Sequence, residues 1–306
     1  MSWLFFTLAT TLFWGMAELF YKKGAHPDEK YAHLKICASV GAVMGLHAIF
    51  TLLTQDIDYD PINLLRYLPV SLLYIVSMAF SFFGMRFLEE SISDPIENTS
   101  GAICSLLCVV FLHTELSTFS IVSIVVIVIG VLGVGFLENR GDIPRKRCFG
   151  KKMAIISFCM PFLYALLDAL GSFADVFYLD DIAITPLIGV TEDTIEVVAN
   201  TSYELTFAFV ALILFVFMRI NKVKFGSLPK QKDKILAAVC ETAGQFTYVF
   251  AMSGNGAVAA PIISSVCVIS VLLSRIFLKE KLGWKTYIFI GIVIIGILLL
   301  AVSEEL

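Results

Sequence analysis

Ten apolar runs of about 20 residues, separated by short charged connections, constrain this chain more than any other feature. A run of that length is what a helix needs to cross the hydrocarbon core of a bilayer. The runs fall at 2–22, 33–54, 68–88, 94–113, 118–138, 153–175, 199–219, 235–253, 257–278 and 284–303. Of the 306 residues 58% are hydrophobic and 16% charged, against about 45–50% and about 25% in soluble domains. The expected fold is an all-α membrane protein of ten transmembrane helices. The first run lacks a basic leader and a small-residue cleavage site, so it reads as a retained span.

Basic residues set the expected orientation. Connections after spans 1, 3, 5, 7 and 9 hold 21 of the 22 Lys and Arg residues, and only Arg66 lies on the other side. The odd connections are therefore expected in the cytoplasm and both termini outside, at the plasma (inner) membrane. The long sixth connection, about 176–198, is then an extracellular insertion. It carries five carboxylates between Asp180 and Glu196 and no Lys or Arg. It reads as a solvated loop with a short amphipathic helix, or as an acidic vestibule that concentrates cations.

The seven cysteines are odd in number, with no CxxC pair. They predict reduced thiols and no structural metal. No HExxH, Walker or GxSxG pattern occurs, and the four histidines form no pair with metal-ligand spacing. An enzyme is disfavoured, nothing points to nucleic acid, and no cofactor is expected.

A faint repeat runs through the chain. "FWGMAELFY" (13–21) meets "LYALLDALG" (163–171) at an offset of 150, placing Trp14 on Tyr164 and Glu18 on Asp168. "PIENTSGAICSLLCVVFLHTEL" (95–116) meets "PIISSVCVISVLLSRIFLKEKL" (261–282) at 166. At the same offset Gly130 meets Gly296 and Glu138 meets Glu304. Two halves of five spans, 1–150 and 151–306, follow from this order. Five is odd, so the second half enters the membrane upside down, as in the inverted repeats of many secondary transporters.

Trp14-Gly15 followed by Lys22, apolar spans ending in Glu115 and Glu280, and the Gly-rich stretches 128–135 and 289–296 together resemble the EamA-type drug/metabolite transporter superfamily. The stretch 251–303 is the most specific part. The resemblance implies ten helices, carrier activity and no prosthetic group. Its members move amino acids, organic cations, nucleotide-linked and other small metabolites, so it leaves the substrate open. The glycines themselves read first as sites of close helix approach.

Ionisable groups inside spans are costly and mark pathways or sites. Five carboxylates fall there: Glu18, Glu97, Asp168, Glu204 and Glu241. Counting at 1.5 Å per residue puts Glu18, Glu97 and Glu241 in the cytoplasmic third, and Asp168 and Glu204 in a second tier nearer the outside. Structural readings stand beside functional ones. Glu18 precedes Lys22 by four residues and is placed to pair with it. Glu97 sits at a helix start, where backbone N–H groups favour an anion. Asp168 and Glu204 are near enough to the outer surface to be wet. Glu241 has no such local partner. Gln245 and Tyr248 extend Glu241 into a polar stripe at i+4 and i+7. Trp14 and Tyr21 flank Glu18 by one turn, and Tyr164 precedes Asp168 by one turn. Carboxylates among aromatic rings suit an organic cation.

The expected function is therefore transport of a small molecule by alternating access, with a cationic substrate exchanged for protons. The expected substrate residues are Trp14, Glu18, Tyr21, Glu97, Tyr164, Asp168, Glu241, Gln245 and Tyr248, with Glu18 and Glu241 as the proton-coupling pair. Partners are the substrate, protons and membrane lipids, and a monomer suffices to build the site. The alternatives are a carrier of amino acids or other zwitterionic metabolites, whose carboxylate Lys22 or Lys23 would meet, and a non-transporting membrane partner. Asn98 and Asn200 match the glycosylation pattern but fall in or at a span, so neither is expected to be modified.

Overall fold

A computed structural model describes residues 2–24, 31–84, 96–138, 151–226, 228–278 and 283–303. Within them the chain is helical, with no strand. Lipid offers the backbone no hydrogen bonds, so each segment must satisfy its own N–H and C=O groups.

The helices are α1 (Ser2–Gly24), α2 (Ala32–Thr54), the short α3 (Ile62–Arg66), α4 (Leu68–Gly84), α5 (Ser100–Phe111), α6 (Thr118–Glu138), α7 (Lys151–Leu179), α8 (Ile195–Ile220), α9 (Lys232–Ile263), α10 (Val266–Leu273) and α11 (Trp284–Ser303). Among the described residues six are long and apolar enough to span a membrane: α1, α2, α7, α8, α9 and α11. Segments of α4, α5, α6 and α10 form shorter apolar helices. Phe5, Leu46, Phe50, Leu53, Phe209 and Ile213 are large, apolar and exposed, as a lipid-facing surface requires.

Hydroxyls within the spans are satisfied locally. Thr7, Thr11, Ser39, Ser202, Thr206 and Thr242 each donate to the carbonyl four residues back, at 2.8–2.9 Å, the usual arrangement for such residues inside a helix.

The predicted break between spans 235–253 and 257–278 is present: α9 consists of two helical runs that meet at a kink at Asn255 (φ −166°, ψ 72°). The second of these spans is itself interrupted at Ser264-Ser265, three residues after Pro261. Proline removes an N–H from the helical ladder. The predicted span 94–113 shows the same interruption at Asn98-Thr99, between the helical pair Ile96-Glu97 and α5. The two breaks are 166 residues apart.

α1 packs on α9, α4 on α7, α2 on α8 and α6 on α11, while α5 contacts α7 and α1 contacts α10. Glycines allow the closest of these approaches. Gly101 N–H donates to Ser264 Oγ at 3.0 Å, and Ser105 Oγ donates to the Ala257 carbonyl at 2.5 Å. On α6 and α11, Gly130 faces Val293 and Gly296 faces Ile127.

The long connection is more ordered than expected. α7 continues to Leu179 and α8 begins at Ile195, so the loop covers 180–194, with no helix inside it. The fully buried Asn63 exchanges two 2.9 Å hydrogen bonds with the Ile188 backbone. Arg66, the lone basic exception in the topology count, donates to the Pro186 carbonyl at 2.6 Å. Leu187 is buried in the same apolar cluster as Tyr67, Val70 and Leu179. Asn63→Ala removes both bonds and strands a buried N–H, a loss of about 1–3 kcal/mol. Faster proteolysis within 180–194, with the helical bundle left intact, is the expected result.

Candidate functional site

The polar centre is assembled from α1, α4, α5, α7, α8 and α9. On α9, Glu241 accepts from the Tyr21 hydroxyl at 3.2 Å, and its backbone carbonyl accepts from Trp14 Nε1 at 3.4 Å. Two turns on from Glu241, the ring of Tyr248 lies 5.1 Å from that of Trp14. Two sequence-predicted residues of α1 and two of α9 thus meet directly. Gly244 makes the approach possible: a Cβ there would lie 2.3 Å from the Trp14 ring.

α7 supplies Tyr164 and Asp168. Asp168 faces the hydroxyls of Ser100 and Tyr164. Tyr164 also feels the charges of Asp168, Glu97, Glu241 and Glu18, which come from four segments. Glu97 accepts from Ser81 Oγ at 2.8 Å. Glu18, Glu97, Asp168 and Glu241 each keep part of their surface open. Gln245 is buried, and its amide nitrogen makes no hydrogen bond among the described residues. The suggested Glu18–Lys22 pair falls on a lysine whose side chain lies outside the described residues.

A second layer sits toward the loop end and was missed by the sequence reading. Asp175 is fully buried and accepts from the hydroxyls of Tyr67 and Tyr74, the latter at 2.9 Å. Tyr74 is 2.6 Å from the Tyr248 hydroxyl. Ser172 Oγ stands 3.1 and 3.0 Å from these two tyrosine oxygens. The signal was present: Asp168, Ser172 and Asp175 repeat at i, i+4, i+7, the same stripe as Glu241, Gln245 and Tyr248. Tyr203 on α8 closes the ring wall, 5.8 Å from Tyr74 and 4.6 Å from Phe207.

The expected two-tier arrangement changes accordingly. Asp168 shares an electrostatic neighbourhood with Glu241 and Glu18. Glu204 stands apart from all of them. It is fully buried and paired with His47, whose Nδ1 lies 2.8 Å from both carboxylate oxygens. Its wet, near-surface reading does not hold. Asn200 is also buried, which agrees with discounting it as a glycosylation site. Among the described residues no three His, Cys, Asp or Glu side chains group as a metal site.

A bundle of membrane-length helices around a polar centre of carboxylates and aromatic rings defines the class: a multi-pass helical membrane protein. A family model described as the EamA-like transporter family matches residues 1–136 and 183–302, and the chain belongs to that family. It is thus a membrane transporter of small solutes. One solved crystal structure superposes with a TM-score of 0.74 over 99% of this chain and 98% of that chain, at 11% identity, a likeness of fold alone. A comparison with curated proteins found no match.

Proposed function

We propose that this chain is an alternating-access carrier that exchanges an organic cation for protons across the plasma membrane. The observation that carries the substrate class is the meeting of Glu241 with Tyr21 and Trp14, and of Trp14 with Tyr248, with Glu18, Glu97 and Asp168 as further carboxylates that act on Tyr164. Rings attract a cation through their faces, and the carboxylates supply net charge. Glu18 and Glu241 hold protons when the cation leaves, so loading by one excludes the other.

Two inverted halves, 1–150 and 151–306, provide the moving parts. The packing supports this reading. Exchanging the halves turns the α1–α9 contact into α4–α7 and the α5–α7 contact into α1–α10, and both members of each pair are present. At the offset of 166, the Gly130–Val293 contact becomes Gly296–Ile127. Such mutual contacts are those of a two-fold axis.

A screen of melting temperature in the purified protein tests the substrate class. A ligand that binds only the folded state at 100 times its Kd adds about 2.7 kcal/mol of stability. Choline and polyamines are expected to stabilise the wild type and to fail with Glu18→Gln or Glu241→Gln. Stabilisation by neutral amino acids alone would favour the zwitterion reading, to which the unpaired Gln245 amide lends a donor for a substrate carboxylate. A C-terminal tag is expected to be reached by antibody on intact cells; a tag reached only after permeabilisation would reverse the proposed orientation.

A further inference from the structure

A cleft of about 310 Å³ opens between α2, α4 and α8, within the size range of ligand sites. His33, Cys37, Val40, Met78, Phe207 and Leu214 are among its walls. The lining is almost wholly apolar, and it lies in the half of the bundle that holds Tyr21 and Glu241. Along α2 it extends from His33 to Val40, about 10 Å.

Two residues of the cleft wall adjoin side chains that lead to the polar centre. Cys37 is an electrostatic neighbour of Tyr21, the tyrosine that donates to Glu241. Phe207 stacks on Tyr203 at 4.6 Å, and Tyr203 meets Tyr74 edge-on. An apolar cleft beside Tyr21, the residue that donates to Glu241, matches a molecule with a cationic head and an apolar tail.

We propose that the substrate is an amphipathic cation, its head held by Glu241 and its neighbours and its tail laid in the α2–α4–α8 cleft. The inference rests on the cation reading above and adds the tail. Ala79 on the α4 wall is exposed, so such a substrate can enter sideways from the membrane. A polar metabolite would leave the slot unfilled and would need an aqueous route.

The test uses an alkyltrimethylammonium series, from tetramethyl to octyl, each below its micelle-forming concentration, with melting temperature of the purified full chain as readout. Apparent affinity is expected to rise with tail length, approaching about fourfold per methylene, and to level off once the cleft is full. Ala79→Phe blocks the slot from α4, where Ala79 is exposed and outside the packed core. Val210→Phe blocks it independently from α8. Either is expected to remove the gain with length and to leave the tetramethylammonium response unchanged. Glu241→Gln is expected to remove the response to the whole series. A wild-type response that is the same at every length would overturn the tail and leave the cation reading intact. So would a length dependence that survives both plugs. Silence of the wild type to every member of the series would overturn the cation reading and the amphipathic inference with it.

Discussion

Glu241→Gln is expected to lower transport by about 100-fold or more while the melting temperature of the unliganded protein stays within about 2 °C of wild type. The two halves of that expectation have separate causes. A cation and a carboxylate about 4 Å apart attract by roughly 4 kcal/mol at an effective dielectric constant near 20, and the amide gives up most of it. The fold, in contrast, hardly notices the exchange. The Tyr21 hydroxyl donates to Oε2, and an amide oxygen accepts in the same place. Trp14 donates to the backbone carbonyl of residue 241, which the substitution leaves alone. Uptake or efflux in vesicles measures the first quantity and thermal unfolding the second. Undiminished transport would make Glu241 a structural acceptor for Tyr21.

The second large effect is on folding. Gly101→Val is expected to cost about 3 kcal/mol or more and to lower the melting temperature by roughly 5 °C or beyond. A Cβ at Gly101 would lie 2.3 Å from the Ala260 carbonyl oxygen and 2.3 Å from Ser264 Oγ. The first of these is backbone and has no rotamer to escape into. The same displacement breaks the 3.0 Å bond from the Gly101 N–H to Ser264 and the neighbouring bond from Ser105 to Ala257. These contacts join the two interrupted segments where they cross. Gly291→Ala is the control. Nothing lies within 4 Å of its would-be Cβ, so it is expected to be neutral or stabilising, by up to about 1 kcal/mol. Equal effects of the two substitutions would show that the crossing tolerates a separation the geometry denies.

Much of this was legible in the sequence because membrane helices leave two clear signals. Apolar length marked the helices, and the i, i+4, i+7 polar stripe on α9 marked a face that meets Trp14 and Tyr21. Asp175 was passed over because it stood at the edge of the predicted span 153–175, where a carboxylate looks wet. In the folded chain α7 continues past it to Leu179, and the loop 180–194 covers that end. Nothing local announced the partner of Glu204, since His47 is 157 positions away and its own neighbours are apolar. The apolar cleft was equally silent, because its walls belong to three helices that are ordinary when taken singly.

The reciprocal contacts of Gly130 with Val293 and of Gly296 with Ile127 bear on how such a chain can drift over generations. Each contact sets an empty position against a branched one, and the sum of their volumes is what the interface requires. Letters on either side are free to change if that sum is kept, so Gly130→Ala joined to Val293→Ala is a neutral path where either end alone is constrained. Likeness between two such stretches can then fade from the sequence while the volume that their contact requires is kept.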